Sequence, residues 1–187
     1  MSAATAQAND VEHPMTAEEL WRLAPQERGE LVNGRFIEMP PTGRPHGTVE
    51  TNVAAELRAF VKPRNLGKVM SGEVGIITRR DPDTVRGADV AYISHERLAK
   101  AKAKGYLDVP PELVVEVVSP SDRWTDVNEK VDEYLACGVD EVWIVDPRTR
   151  RVTCYGSAAV RTYQPEDTLT APDVLPGLSL VVATLFE

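Results

Sequence analysis

Two apolar runs, LVVEVV at residues 113–118 and EVWIVDP at 141–147, bracket one amphipathic stretch, and that arrangement leaves few folds open. Runs so rich in Val, Leu and Ile suit strands covered on both faces. Between them TDVNEKVDEYLACG places Val127, Val131 and Leu135 at helical spacing, with Gly138 set to close the helix. Strand, helix, strand at this length makes a βαβ unit, so the two strands run parallel. One residue stands out. Glu116 is a carboxylate inside the first apolar run, where lost hydration costs several kcal/mol unless a cation or donor replaces the water. Either it stands at the wet end of the strand or something positive faces it.

The rest of the chain adds antiparallel elements. MTAEELWRL carries Thr16 and Glu19 at capping-box spacing, which predicts a short helix from there. ELVNGRFIEM reads as a hairpin turned on Asn33-Gly34. Val49, Val53, Leu57, Phe60 and Val61 predict a helix over 47–62, stopped by Pro63. Strands follow at 72–78 and 87–93 around the turn-rich RRDPDTVR, then a charged surface helix over 94–104 ending at Gly105. RVTCYG pairs with the second apolar strand across PRTR, and short strands between Pro and Gly turns complete the chain. The expected class is α/β, a mixed sheet flanked by helices with an N-terminal β-hairpin. Residues 1–14 read as a flexible arm and 15–187 as one domain.

Composition excludes some functions. No apolar run reaches the length of a membrane span, and the first residues lack the basic and apolar regions of a secretory signal. Cys137 and Cys154 lie far apart without zinc spacing, so the expected setting is reducing and cytoplasmic. A net charge of −8 argues against a general nucleic-acid coat protein, which needs a broad positive footprint.

Three residues converge as a candidate site. Asp89 lies in the otherwise small or apolar GADVAYI, Glu116 in LVVEVV, and Lys130 on the following helix, beside its buried stripe. If the two strands are neighbours, the carboxylates meet and repel unless a divalent cation sits between them, and oxygen ligands suit Mg²⁺ or Mn²⁺. The competing reading is a purely structural Glu–Lys pair in the core. Lys130 on a helix flank predicts that Lys130→Ala costs rate rather than stability. Arg79, Arg80 and Arg86 flank a turn and read as solvated surface, Asp122 or Thr125 as the helix cap, and Asp146 as a turn residue before Pro147.

PELVVEVVSPSDRWTDVNEKVDEYLACGVDEVWIVDP, with ADVAYI and ELVNGRFIEM upstream, resembles the Uma-two family of endonucleases in the PD-(D/E)XK, restriction endonuclease-like superfamily. The resemblance spans roughly residues 16 to 182. It implies a restriction endonuclease-like core in which Asp89, Glu116 and the carbonyl of Val117 bind a catalytic Mg²⁺ or Mn²⁺. Lys130 would be the catalytic lysine, Glu30 an N-terminal glutamate near the metal, and His46 a histidine facing the same cleft. Two positions depart from the pattern: Ala88 replaces a proline, and Val118 stands where a strand lysine is expected, a role that Lys130 then takes from the helix. The implied activity is metal-dependent hydrolysis of DNA phosphodiester bonds, with DNA as partner, weakly and salt-sensitively bound, and a homodimer to reach both strands. An inactive nuclease-fold binding module, or a phosphohydrolase acting on a smaller phosphate ester, fits the same residues.

Overall fold

The computed structural model describes residues 13–23, 29–156 and 159–187, so most of the proposed N-terminal arm lies outside the described residues. In chain order the elements are α1 (Ala17–Arg22), β1 (Gly29–Val32), β2 (Arg35–Glu38), α2 (Arg44–Val61), β3 (Gly67–Arg79), β4 (Thr84–Ser94), α3 (His95–Leu98) and β5 (Leu113–Val117). They continue as α4 (Trp124–Cys137), β6 (Glu141–Asp146), β7 (Arg151–Gly156), β8 (Val160–Tyr163), β9 (Thr168–Ala171) and β10 (Leu175–Val181), with a closing 3₁₀ turn at Val182–Phe186.

Local chemistry explains several boundaries. Thr16 and Glu19 form the reciprocal capping box that starts α1. Asn33 and Gly34 take φ of 53° and 73°, as a type I′ turn between β1 and β2 requires. Gly138 ends α4 in the left-handed region at φ 105°, where a side chain would be strained.

The main sheet runs β2-β1-β4-β5-β6-β7-β8, with β3 also paired to β4. Only β5 and β6 are parallel, as the βαβ reading requires, and the other pairings are antiparallel. The sheet is covered on both faces. On one, Val49, Val53, Leu57 and Val61 of α2 join Val115, Trp143 and Val145, with Leu169, Leu175 and Leu185 from the C-terminal segment. On the other, Val127, Val131 and Tyr134 of α4 pack on Val114, Val142 and Ile144. Each large apolar side chain so buried contributes about 1.5–3 kcal/mol. The alternation along β5 sends Glu116 toward α4 and Val115 and Val117 toward α2.

Several elements differ from the sequence expectation. The helix expected over 94–104 is only the single turn α3. Its sequence has no apolar stripe to bury, and the chain instead folds back onto β3, where Leu107 N–H donates to Gly75 and Ile77 N–H to Leu107. Helix α2 begins earlier, at Arg44, with Pro45 in its first turn, and β3 and β4 are longer than their apolar cores. Neither Asp122 nor Thr125 caps α4. Asp122 accepts from Ser119 N–H at 2.7 Å, and Thr125 donates to Asp126. Asp146 does hold a turn, accepting from the N–H groups of Arg148 and Thr149. No helix among the described residues is long and apolar enough to cross a membrane.

Candidate active site

Val90 of β4 pairs with Val115 of β5, so Asp89 and Glu116, one residue beyond that pair on each strand, stand at the same end of the ladder. Both line a cleft of about 350 Å³ that also takes in Glu30, His46, Val117 and Lys130. The sequence candidates are thus brought to one place.

Glu116 has partners for both oxygens. The Tyr134 hydroxyl donates to Oε1 at 2.7 Å, and Lys130 Nζ donates to Oε2 at 3.1 Å. Burial pushes its carboxyl up to about 7. The Lys130 charge works against that rise, while the charges of Asp89 and Glu30 add to it. Lys130 Nζ also lies 2.8 Å from Glu30 Oε1. Burial opposes the ammonium charge, yet the two carboxylates raise its pKa above the ordinary lysine value and hold it charged. This position revises the flank reading. Lys130 is a half-buried bridge between two buried acids, and its removal costs stability as well as any rate.

Glu30 behaves oppositely to Glu116. Burial raises its pKa, but Lys130 and Arg86 outweigh burial and hold it below the usual carboxylate range. Arg86 NH1 donates to Glu30 at 2.8 Å, and Gly87 N–H donates to Glu30 at 3.1 Å. Two acids of the same chemistry are thereby pushed apart, the arrangement that assigns different protonation states to neighbouring carboxylates.

Arg86 is a correction. It is not solvated surface but 7% exposed, and it also grips Glu133 of α4 with a bidentate pair at 2.6 and 3.0 Å. Its raised pKa reflects Glu133 and Glu30 overcoming burial. The reason is that β4 starts at Thr84, so Arg86 lies inside a strand rather than in the turn. The buried stripe of α4 is likewise completed by Tyr134 instead of Leu135.

Asp89 accepts from Val117 N–H through Oδ2 at 2.6 Å. On the α2 side, His46 Nε2 lies 3.3 Å from the same oxygen. Both contacts fall on Oδ2, which leaves Oδ1 for another partner. His46 is buried; burial lowers its pKa, but Asp89, Glu50 and Glu73 raise it further, and the net shift is upward. Glu50, one turn along α2, accepts from Gly72 N–H at 2.9 Å. Burial and the Asp89 charge push its carboxyl up. Glu73, at φ 59° where the β3–β4 register shifts, reaches the same cleft, and desolvation with the Asp89 charge pushes it up to about 6. Its carboxylate passes so close to Gly87 that a Cβ there would meet Glu73 Oε2 at 2.7 Å.

Sequence reading missed Glu50, Glu73, Arg86, Glu133 and Tyr134. Two of these had a signal: Glu50 is four residues after His46, and Tyr134 four after Lys130, on shared helix faces. Glu73 had none, because a bulge sets its direction.

The fold and cleft define a restriction endonuclease-like α/β protein. Residues 17–183 match the Uma2 family, described as "Putative restriction endonuclease", and the chain belongs to that family. Among solved structures it resembles a "putative nuclease belonging to DUF820" from Anabaena variabilis ATCC 29413. The TM-score is 0.77 and the identity 20%, over 92% of this chain and 98% of that one. Comparison with curated proteins gives no match.

Proposed function

We propose that this chain is a metal-dependent endonuclease of the PD-(D/E)XK type that hydrolyses DNA phosphodiester bonds at the Asp89–Glu116 cleft. The observation that carries the reading is the Lys130 ammonium held between Glu116 and Glu30 in a cleft otherwise crowded with carboxylates. A charged amine kept in place by two acids is poised to orient an attacking water or to meet charge developing on a phosphate.

The donor set suits a hard divalent cation. Glu30, Glu73, Asp89 and Glu116 line the cleft and Glu50 the pocket beside it, and three of the five have carboxyls pushed upward: Glu50 by burial and Asp89, Glu73 by partial desolvation and Asp89, Glu116 by burial, Asp89 and Glu30. Mg²⁺ or Mn²⁺ would relieve this repulsion, held by Asp89, Glu116 and the Val117 carbonyl. When bound, such an ion polarises a phosphate oxygen and acidifies a coordinated water. Asp89 keeps its direction through Val117 N–H, and Tyr134 fixes the Glu116 carboxylate. Arg86 sets Glu30, which in turn sets Lys130.

DNA is the proposed partner. At −8 overall the chain repels a polyanion, so binding rests on a few Lys and Arg contacts and weakens steeply with salt. We take residues 15–187 as one cytoplasmic domain acting as a homodimer, since one cleft addresses one strand. A second reading has its own support. Both Glu116 oxygens are already engaged by protein groups, as in a nuclease fold retained for binding alone.

The deciding experiment incubates purified protein with plasmid, linear and single-stranded DNA at low salt, with Mg²⁺ and with Mn²⁺. Metal-dependent nicking that Lys130→Ala abolishes is the expected result. DNA left uncut under every condition overturns the endonuclease reading in favour of the binding module, and equal cleavage by the variant removes Lys130 from the mechanism.

A further inference from the structure

We propose that His46 Nδ1 and Glu50 Oε2 hold a transition-metal ion on the α2 side of the sheet, with Asp89 of the Asp89–Glu116 pair positioning the imidazole from behind. It rests on the endonuclease reading only through that aspartate.

The first observation is an unpaired nitrogen. His46 is 6% exposed, and its Nδ1 is buried with no hydrogen-bond partner among the described residues. A buried polar atom left in this way costs about 1–3 kcal/mol. The orphan has a direction: it faces Glu50 Oε2 at 4.0 Å. That is too long for a hydrogen bond. It falls within the span of two ligands on one ion, since bonds of about 2.0–2.2 Å allow donor atoms up to roughly 4.3 Å apart.

The second observation is the other side of the ring. Nε2 lies 3.3 Å from Asp89 Oδ2, and a neutral ring places its proton on that side, next to the carboxylate. Nδ1 is then left with its lone pair, the form that binds metal. A carboxylate behind the ring fixes the tautomer and raises ligand basicity. His46 and Glu50 are four residues apart on one face of α2, which presents both to the same point without any loop to order. Gly72 N–H holds Glu50 by Oε1 and leaves Oε2 toward the imidazole.

Donor chemistry selects the ion. An imidazole nitrogen with a carboxylate oxygen suits Zn²⁺, Co²⁺ or Mn²⁺, whereas Mg²⁺ and Ca²⁺ prefer oxygen alone. The cleft therefore offers two unlike subsites, one all oxygen toward α4 and one containing nitrogen toward α2. The competing account is an imidazolium, protonated on both nitrogens, lying between Asp89 and Glu50 as a permanent cation.

The chain has three histidines, which makes the test direct. Histidine-ring nitrogen spectra of the full-length protein are recorded during Zn²⁺ titration, with His46 assigned through His46→Gln. The expected result is that the His46 Nδ1 resonance moves to the range of a metal-bound nitrogen at one equivalent, and excess Mg²⁺ does not reverse it. Glu50→Gln keeps an oxygen for Gly72 N–H and so keeps the fold. It weakens Zn²⁺ binding about tenfold or more by calorimetry. Glu116→Gln leaves the His46 response in place, which separates this site from the one proposed for catalysis. The proposal is overturned if His46 stays doubly protonated and unmoved by Zn²⁺. It is also overturned if Glu116→Gln abolishes the His46 response as fully as Glu50→Gln does, since one ion at the Asp89–Glu116 pair would then account for both.

Discussion

Replacing Lys130 by Ala removes the cation that two buried acids share. Its Nζ lies 2.8 Å from Glu30 and 3.1 Å from Glu116, and all three side chains are largely shielded from water. Breaking a buried pair by deleting one partner costs about 3–5 kcal/mol, because the remaining charge loses its counter-ion; here Glu116 loses its cation outright, while Glu30 keeps Arg86. Helix propensity adds almost nothing, since Lys and Ala differ by only about a few tenths of a kcal/mol. The loss depends on pH, and its sign follows from Glu116. Its pKa rises from 4.5 to about 7 on folding, so between those values the folded chain holds a proton that the unfolded chain has released. That contribution to stability is fully present below 4.5 and is lost as pH rises through about 7. At pH 8 the ammonium therefore serves two carboxylates. At pH 5 Glu116 is neutral and only Glu30 depends on it. The deficit of Lys130→Ala is largest at pH 8 and falls to roughly half of that at pH 5. Urea denaturation at both pH values measures it, with Lys130→Met as the control that keeps the apolar stem. A deficit equal at the two pH values, or below about 1 kcal/mol at pH 8, would mean that Lys130 does not carry the Glu116 charge.

Three further outcomes are expected. Tyr134→Phe removes the hydroxyl that donates to Glu116 and raises the Glu116 pKa by about one to two units, the equivalent of a hydrogen bond to a charged group; carboxyl carbon shifts followed against pH read this, and an unmoved titration refutes it. Glu116→Gln keeps the volume but removes the charge, and calorimetry in Mg²⁺ detects the lost binding; equal affinity in the variant would make Glu116 structural. Arg86→Ala leaves Glu133 without its bidentate partner and Glu30 with Lys130 alone, and it lowers the thermal midpoint by more than Arg79→Ala does, because Arg79 is exposed and Arg86 is not.

The βαβ unit, the Asn33-Gly34 hairpin, the capping box and the α2 stripe were all legible in the sequence, because each is written in residues within a turn or two of one another. Local periodicity also put Glu116 in a covered strand and Lys130 beside a buried stripe. The α3 segment was misread because nothing local records that residues 105–107 return to the edge of β3. Arg86 was misread for a related reason: Asp-Pro-Asp marks a turn, but strand pairing with β3 and β1 decides where the turn stops.

What the sequence by itself determined, then, is which elements form and which residues carry unusual charge within them. Tertiary structure alone decided which charges meet. Glu30, Arg86, Lys130 and Glu133 come from three separate elements, and no short-range pattern couples them. The shifts of Glu30 downward and Glu116 upward arise from burial and from neighbours distant in the chain, and so does the orphaned Nδ1 of His46. Electrostatic energy depends on distance through space and on the water excluded between groups, and both exist only once the sheet and its two covering helices have closed around the cleft.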